Sequence, residues 1–344
     1  MQFMFSDAMG TPVWLWIAFI SLVVALMVLD LGVFNKKDHV IEMKESVRLY
    51  GFYASLGLLF GAFIWFWRGS QDAFLYLTGF VIEQSLSMDN VFVMAIILNY
   101  FAIPRIYQRR VLFWGIIGVI LLRGVAVFAG SALINEFHWI LYFFAVFLVA
   151  TGIKMLMAGE DEYDVSSNPA LKVMRKYFRI THGLRGDRFM VKETDSRGTP
   201  LWYVTPLLVA LVVIDVADII FAVDSIPAIF AITTDPFIVF TSNIFAVLGL
   251  RALFFALSAM LDKFHYMKYS LALVLVFIGG KILVADLFGL GHMSPGVSLT
   301  LTLMILAGGV VASLLLGAKP AADNDDGKSA AMTLSANTDS KPGE

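Results

Sequence analysis

The sequence predicts an all-α, polytopic membrane bundle of about nine transmembrane helices, and three observations carry that prediction. Of the 344 residues, 59% are hydrophobic and only 15% charged, with a mean hydropathy of +0.80, whereas soluble domains hold roughly 45 to 50% apolar residues. The apolar residues gather into runs of about 20, the length a helix needs to cross the hydrocarbon core. Those runs are continuous and lack the alternation of a barrel strand, so helices are the structures that satisfy the backbone in lipid.

In order along the chain, spans fall at roughly 12–34, 49–67, 74–98, 111–132, 139–157, 201–222, 238–261, 269–288 and 297–317. The first has neither a basic flank nor a small-residue cleavage site, so it is expected to be retained as a helix. Lys and Arg set the orientation. Lys36, Lys37, Lys44, Arg48, Arg105, Arg109, Arg110, the eight in loop 158–200, Lys263, Lys268 and the three of the tail all fall on one side, against Arg68 on the other. The N-terminus is therefore expected outside and the C-terminus in the cytoplasm. Asp30, Lys154, Lys281 and Asp286 sit near span ends, where long side chains can reach toward the interface.

Residues 1–318 read as one transmembrane domain, with loop 158–200 as its only long connection. NPALKVMRKYF from Asn168 reads as a short basic amphipathic helix suited to the inner leaflet. RFMVKETDSRGTPLWYV places two apolar runs around Asp195-Ser196-Arg197-Gly198, the pattern of a hairpin. The plainer reading of the whole loop is a solvated connector. The tail 319–344 is small and polar and is expected to be disordered.

Two spans carry acids that a lipid-facing helix would not tolerate. FVIEQSLSMDNVFVMAIILNY, 80–100, holds Glu83, Ser85, Ser87, Asp89 and Asn90, and IDVADIIFAVDSIPAI, 214–229, holds Asp215, Asp218, Asp224 and Ser225. A carboxylate at the bilayer centre costs at least about 2.5 to 3.5 kcal/mol, so such residues mark function. Glu83-x5-Asp89-Asn90 aligns with Asp218-x5-Asp224-Ser225. Each cluster is followed by a proline, Pro104 or Pro236, and then by a span with glycine and one buried arginine, Arg123 or Arg251. An odd number of crossings separates the two spans, which is the pattern of an inverted-topology repeat with its substrate site near the midplane.

On a helix, Glu83, Ser87 and Asn90 share a face, Ser85 and Asp89 a neighbouring one, and Asp215 and Asp218 point together at i, i+3. Pro227 disfavours the α region at Ile226, so the helix is expected to break near Asp224, leaving free carbonyls and a partly re-entrant connection over 225–237. The carboxylates outnumber Arg123 and Arg251, a surplus that a divalent cation or protons would offset. The plainer reading pairs the arginines with Asp89 and Asp224 and leaves that surplus standing. Carboxylate, amide, hydroxyl and carbonyl oxygens favour Mn, Mg or Ca over Zn or Cu. With 0 cysteines, the chain has no disulfide, thiolate site or thiol redox chemistry of its own. Two other classes compete with transport: a membrane partner or chaperone-like subunit docking through loop 158–200, and an intramembrane enzyme. The enzyme is the weaker, since neither HExxH nor GxSxG occurs, although residue types alone leave an aspartate protease open.

EQSLSMDNVFV from Glu83, QRRVLFWGIIGVILLRG from Gln108, TGIKML from Thr151 and the stretch from Thr205 through Phe255 resemble the TerC family of integral membrane proteins, its Alx branch in particular, within the LysE-like transporter group. The resemblance covers roughly residues 10–318. The family often has Glu where this chain has Asp215, a change that keeps the charge and shortens its reach. The resemblance implies a multi-pass protein of a bacterial inner (plasma) membrane, linked to tellurium resistance, alkaline pH response and manganese efflux. Its acidic transport residues would be Glu83, Asp89, Asn90, Asp215, Asp218 and Asp224 here, with Ser87, Ser225, Arg123 and Arg251 beside them. Tellurite is an anion that acidic clusters repel, so that resistance would be indirect. The expected function is export of Mn2+ coupled to protons. The alternative is a non-transporting partner or redox-modulating envelope factor. No resident cofactor, catalytic residue or nucleic-acid partner is expected, and the oligomeric state stays open.

Overall fold

A computed structural model describes residues 7–32, 43–137, 139–157, 165–194, 200–257, 267–287 and 293–316. A minimal hairpin, β1 (Asp7–Ala8) with β2 (Thr11–Pro12), precedes α1 (Val13–Gly32). Then come α2 (Met43–Arg68), α3 (Ser70–Tyr100), α4 (Arg105–Glu136) and α5 (Ile140–Met157). A short segment follows with α6 (Pro169–Tyr177) and the hairpin β3 (Met190–Thr194) and β4 (Pro200–Val204). The chain continues through α7 (Pro206–Phe230), α8 (Pro236–Leu257), α9 (Met267–Leu287) and α10 (Pro295–Leu316). The tail 319–344 and residues 195–199, where the sequence predicts the hairpin turn, lie outside the described residues, as do the side chains of Asp89, Asp224 and Arg251.

Among the described residues eight helices, α1 to α5, α7, α8 and α10, are long and apolar enough to cross a membrane. The protein is a polytopic helical membrane protein. The ninth expected span, 269–288, corresponds to α9, which carries Lys268, Lys281 and Asp286 along its 21 residues and is not one of those eight. Lys281 does not reach outward: it is half-buried and donates to Ser298 Oγ at 3.1 Å, tying α9 to α10. Asp30 is likewise buried.

Two expectations about α7 are corrected. The span expected from residue 201 starts at Pro206, because 200–204 pairs with 190–194 as a strand and Pro206 occupies the first helical position, where its missing N–H costs nothing. The helix also does not break near Asp224. It runs through Pro227 to Phe230 and closes with Ala231 N donating to the Pro227 carbonyl at 2.9 Å. Proline removes one N–H, the partner of the Val223 carbonyl, but lies so near the helix end that only one turn has to absorb it. Residues 225–230 are therefore helical, and the connection to α8 is short.

Helix α8 is the hub, with 94% of its most apolar window buried against 50% or less in the other candidate spans. Lipid supplies no hydrophobic drive between helices, so close packing holds such a bundle together. The Trp16 ring of α1 lies 5.3, 5.1 and 5.9 Å from Phe128, Phe237 and Phe240, and Phe60 of α2 sits 5.1 Å from Phe245. These tilted and edge-on pairs, worth about 0.5 to 1.5 kcal/mol each beyond their burial, bind α1, α2 and α4 to α8. Helices α5 and α9 meet differently, backbone to backbone. A Cβ on Gly152 would stand 2.7 Å from the Ala272 carbonyl, and one on Gly279 would stand 2.5 Å from the Ala145 carbonyl. The contacts are reciprocal, and the two helices run antiparallel.

Candidate functional site

Helix α4 delivers Arg123 into the interior, 1% exposed, between α3 and α7. Its Nη1 donates to Glu83 Oε1 in a short charged hydrogen bond and to Asn243 Oδ1 at 2.9 Å. Its Nε and Nη2 donate to Asp218 Oδ2 and Oδ1 at 3.2 and 3.1 Å, a two-pronged grip suited to the planar guanidinium. Glu83 and Asp218 are 0% and 4% exposed, so neither charge is relieved by bulk water.

Neutral groups complete the network. Ser87 Oγ donates to Glu83 Oε1 at 3.0 Å, Asn243 Nδ2 to Glu83 Oε2 at 3.3 Å, and Asn90 Nδ2 to Asp218 Oδ1 at 3.0 Å. Two turns of α3 thus present Glu83, Ser87 and Asn90 together, as the i, i+4, i+7 spacing requires, while Ser85 turns away to the Val81 carbonyl at 2.8 Å. Arg123 pairs with Glu83 and Asp218, while the side chain of Asp89, its partner in the plainer reading, lies outside the described residues. Asn243, eight residues before Arg251 on α8, is a residue of the network that the acids and arginines of the sequence do not single out. Its signal was a fully buried amide in an apolar span, a group that must find partners.

Asp215 stands apart from this knot. Although one helical turn from Asp218, it packs on the glycine face of α4: a Cβ on Gly118 would lie 2.5 Å from Asp215 Oδ2, and one on Gly115 3.5 Å from Oδ1. Asp215 Oδ1 is buried without a hydrogen-bond partner. Among the described residues, no three acids or histidines close on one point as a ready metal cage. What converges is Glu83 from α3 and Asp218 from α7, with amides and a hydroxyl between them.

Two cavities flank Ser87 and Asn90. One of about 30 Å³ reaches Asp218 and Gly115 among aliphatic side chains of α3, α4 and α8, room for a water or a bare ion. The other, of about 210 Å³, lies toward α5 and α9 and is lined by Glu83, Ser87, Asn90, Ser225 and Met155, with leucines and Phe221 completing its wall. Ser225 is 4% exposed and its Oγ has no hydrogen-bond partner. The larger chamber is therefore polar on its α3 and α7 sides, with one hydroxyl uncommitted.

Residues 68–321 match the model of the "Integral membrane protein TerC family". The chain belongs to the TerC family. A membrane protein of Rickettsia felis is 46% identical over 300 residues, covering 87% of this chain and 97% of its own. One from Myxococcus xanthus is 43% identical over 308 residues, 90% and 94% of the two chains. A Photorhabdus laumondii relative named as a membrane-bound redox modulator, Alx, is 40% identical over 327 residues, 92% and 99%. No solved structure matches. As a TerC-family protein, the chain places its matched region over α3 and α4 and the helices after them, the elements that carry every residue of the Arg123 network.

Proposed function

We propose that this TerC-family protein exports a divalent cation, Mn2+ first among candidates, across a bacterial inner membrane in exchange for protons. The observation that carries the reading is the convergence of Glu83 and Asp218, from the two acidic spans, on one buried guanidinium beside an oxygen-lined chamber. Acids from both spans therefore face one interior region, as a shared cation path requires, and membrane-buried ionisable groups mark ion and proton routes. In this reading Glu83, Asp89, Asn90, Asp215, Asp218 and Asp224 supply oxygens along the path. Ser87 and Ser225 add hydroxyls, and Arg123 and Arg251 balance charge. The reciprocal glycine contacts of α5 and α9 support an inverted repeat, and the basic segments support an outside N-terminus and a cytoplasmic C-terminus.

Arg123 gives the site a resting state. The guanidinium hydrogen-bonds both Glu83 and Asp218 and offsets one of their two negative charges, which would otherwise both stand uncompensated in a low dielectric. A divalent ion competes for the same oxygens, so loading loosens the arginine.

Reconstituted into liposomes, the protein should pass Mn2+ at a rate that rises with an opposing pH gradient. Absence of any gradient-dependent Mn2+ flux through correctly inserted protein would remove the transport reading. The name of the Photorhabdus relative favours a second one, redox modulation; with 0 cysteines, this chain would act on redox balance through metal supply rather than its own thiols.

A further inference from the structure

We propose that Met155 is a selectivity residue of the larger chamber, its thioether favouring transition ions such as Mn2+ over Mg2+ and Ca2+. The proposal rests on the divalent-cation reading and adds to it the choice among ions. The chamber's polar atoms come from Glu83, Ser87 and Asn90 on α3 and Ser225 on α7, and all are oxygens or an amide. Carboxylate, carbonyl and hydroxyl oxygens serve Mg2+, Ca2+ and Mn2+ alike, so they set charge and size but separate these ions poorly. Met155, half-buried on α5, contributes the one sulfur among the described residues lining the chamber. A thioether is a soft, polarisable donor whose contribution rises along the first-row transition series; Mn2+ stands lowest in that series and gains modestly, while alkaline earths gain almost nothing.

Three further observations make the chamber a ligand site rather than a packing gap. Ser225 is buried with an uncommitted Oγ, a donor or acceptor that a solvated ion would engage. The volume of about 210 Å³ admits an ion with several waters, so the metal can enter partly hydrated and exchange one water for sulfur. The neighbouring cavity of about 30 Å³, across Ser87 and Asn90, has room for little more than a single water. A Mg2+ ion, which gives up water reluctantly and gains nothing from sulfur, has no incentive to shed its shell there. Methionines also fill irregular apolar gaps, so the test must read ion preference rather than activity alone.

The test compares wild type, Met155→Leu and Met155→Gln in proteoliposomes of verified insertion, measuring flux of Mn2+, Mg2+ and Ca2+ and inhibition by Cd2+ as the soft-metal probe. Leu preserves volume without sulfur, and Gln replaces sulfur with a hard oxygen. The expected result is a several-fold fall in the Mn2+ to Mg2+ ratio in both variants and a larger fall in Cd2+ inhibition. Ser225→Ala should instead lower all three ions together. If the Met155 variants keep wild-type ion ratios, or lose Mn2+, Mg2+ and Ca2+ flux in equal proportion, Met155 only packs and the assignment is overturned. Wild-type protein that moves none of these ions would overturn the transport reading itself, and the assignment with it.

Discussion

Glu83 on α3 and Asp218 on α7 both hold the guanidinium of Arg123, and through it the two acidic helices are fixed side by side. Three chemically different contacts share this duty: a short charged bond to Glu83, a two-pronged one to Asp218, and an amide oxygen from Asn243 on the central helix.

Removing one member should therefore cost more than a surface ion pair. Asp218→Asn leaves Arg123 with one carboxylate instead of two, and Arg123→Gln leaves two acids buried without a cation. The arginine variant is expected to lose about 3 to 5 kcal/mol of stability, and Asp218→Asn less, since Asn still accepts one hydrogen bond. Melting of the detergent-solubilised proteins checks the order, and Mn2+ flux should be lost in both. A stable Arg123→Gln protein would show that the network is not what aligns α3 with α7.

Asn243→Ala removes one acceptor from Arg123 and one donor from Glu83. The loss should be about 1 to 3 kcal/mol, and Asn243→Asp should slow Mn2+ flux by adding a third acid around Arg123. Ion flux and melting, measured together, separate the two effects.

Gly118→Ala places a Cβ within 2.5 Å of Asp215 Oδ2 and must push α4 from α7 or turn the carboxylate. A loss of about 1 to 3 kcal/mol is expected, together with reduced flux. Gly280→Ala, with nothing within 4 Å of the new methyl, is the control and should be neutral or slightly stabilising. Equal behaviour of the two variants would mean that the Asp215 contact is slack.

Asp235 has two separable roles at the far end of α8. Its Oδ1 accepts from Phe237 N at 2.9 Å and Ile238 N at 3.2 Å, capping the helix, while Oδ2 meets Arg68 Nη2 at 2.6 Å. Asp235→Asn keeps the cap and should cost only a few tenths to 1 kcal/mol, whereas Asp235→Ala should cost about 1 to 2 kcal/mol. The ratio of the two melting shifts reads out which role dominates.

The helical class was legible because it follows from a single cost, the desolvation of polar groups in lipid. Glu83, Ser87 and Asn90 could be placed on one face because helical spacing alone decides it. The partners of Arg123 could not, since a long side chain reaches acids on two other helices and tertiary packing selects among them. Asp215 shows the same limit in reverse: its i, i+3 spacing puts it beside Asp218, but the glycine face of α4 draws it into a different contact. The local rule for proline, which predicts a break at Pro227, holds for a helix interior and is weaker within one turn of an end. Asn243 is harder to single out, because an uncharged amide stands out less in an apolar run than a carboxylate, though its burial demands partners as firmly.

The seam between α5 and α9 bears on how the chamber is reached. Gly152 and Gly279 press each helix directly onto the other's main chain, at two points two turns apart, with Val276 and Val149 wedged beside them, so the contact leaves little room for a side chain to swing aside. Met155 on α5 and Leu271 and Leu275 on α9 form one side of the chamber, and they belong to a single stiff panel. Traffic through that side would require the panel to tilt as a unit against α3 and α7, like a door on its frame, rather than a lone residue to flip.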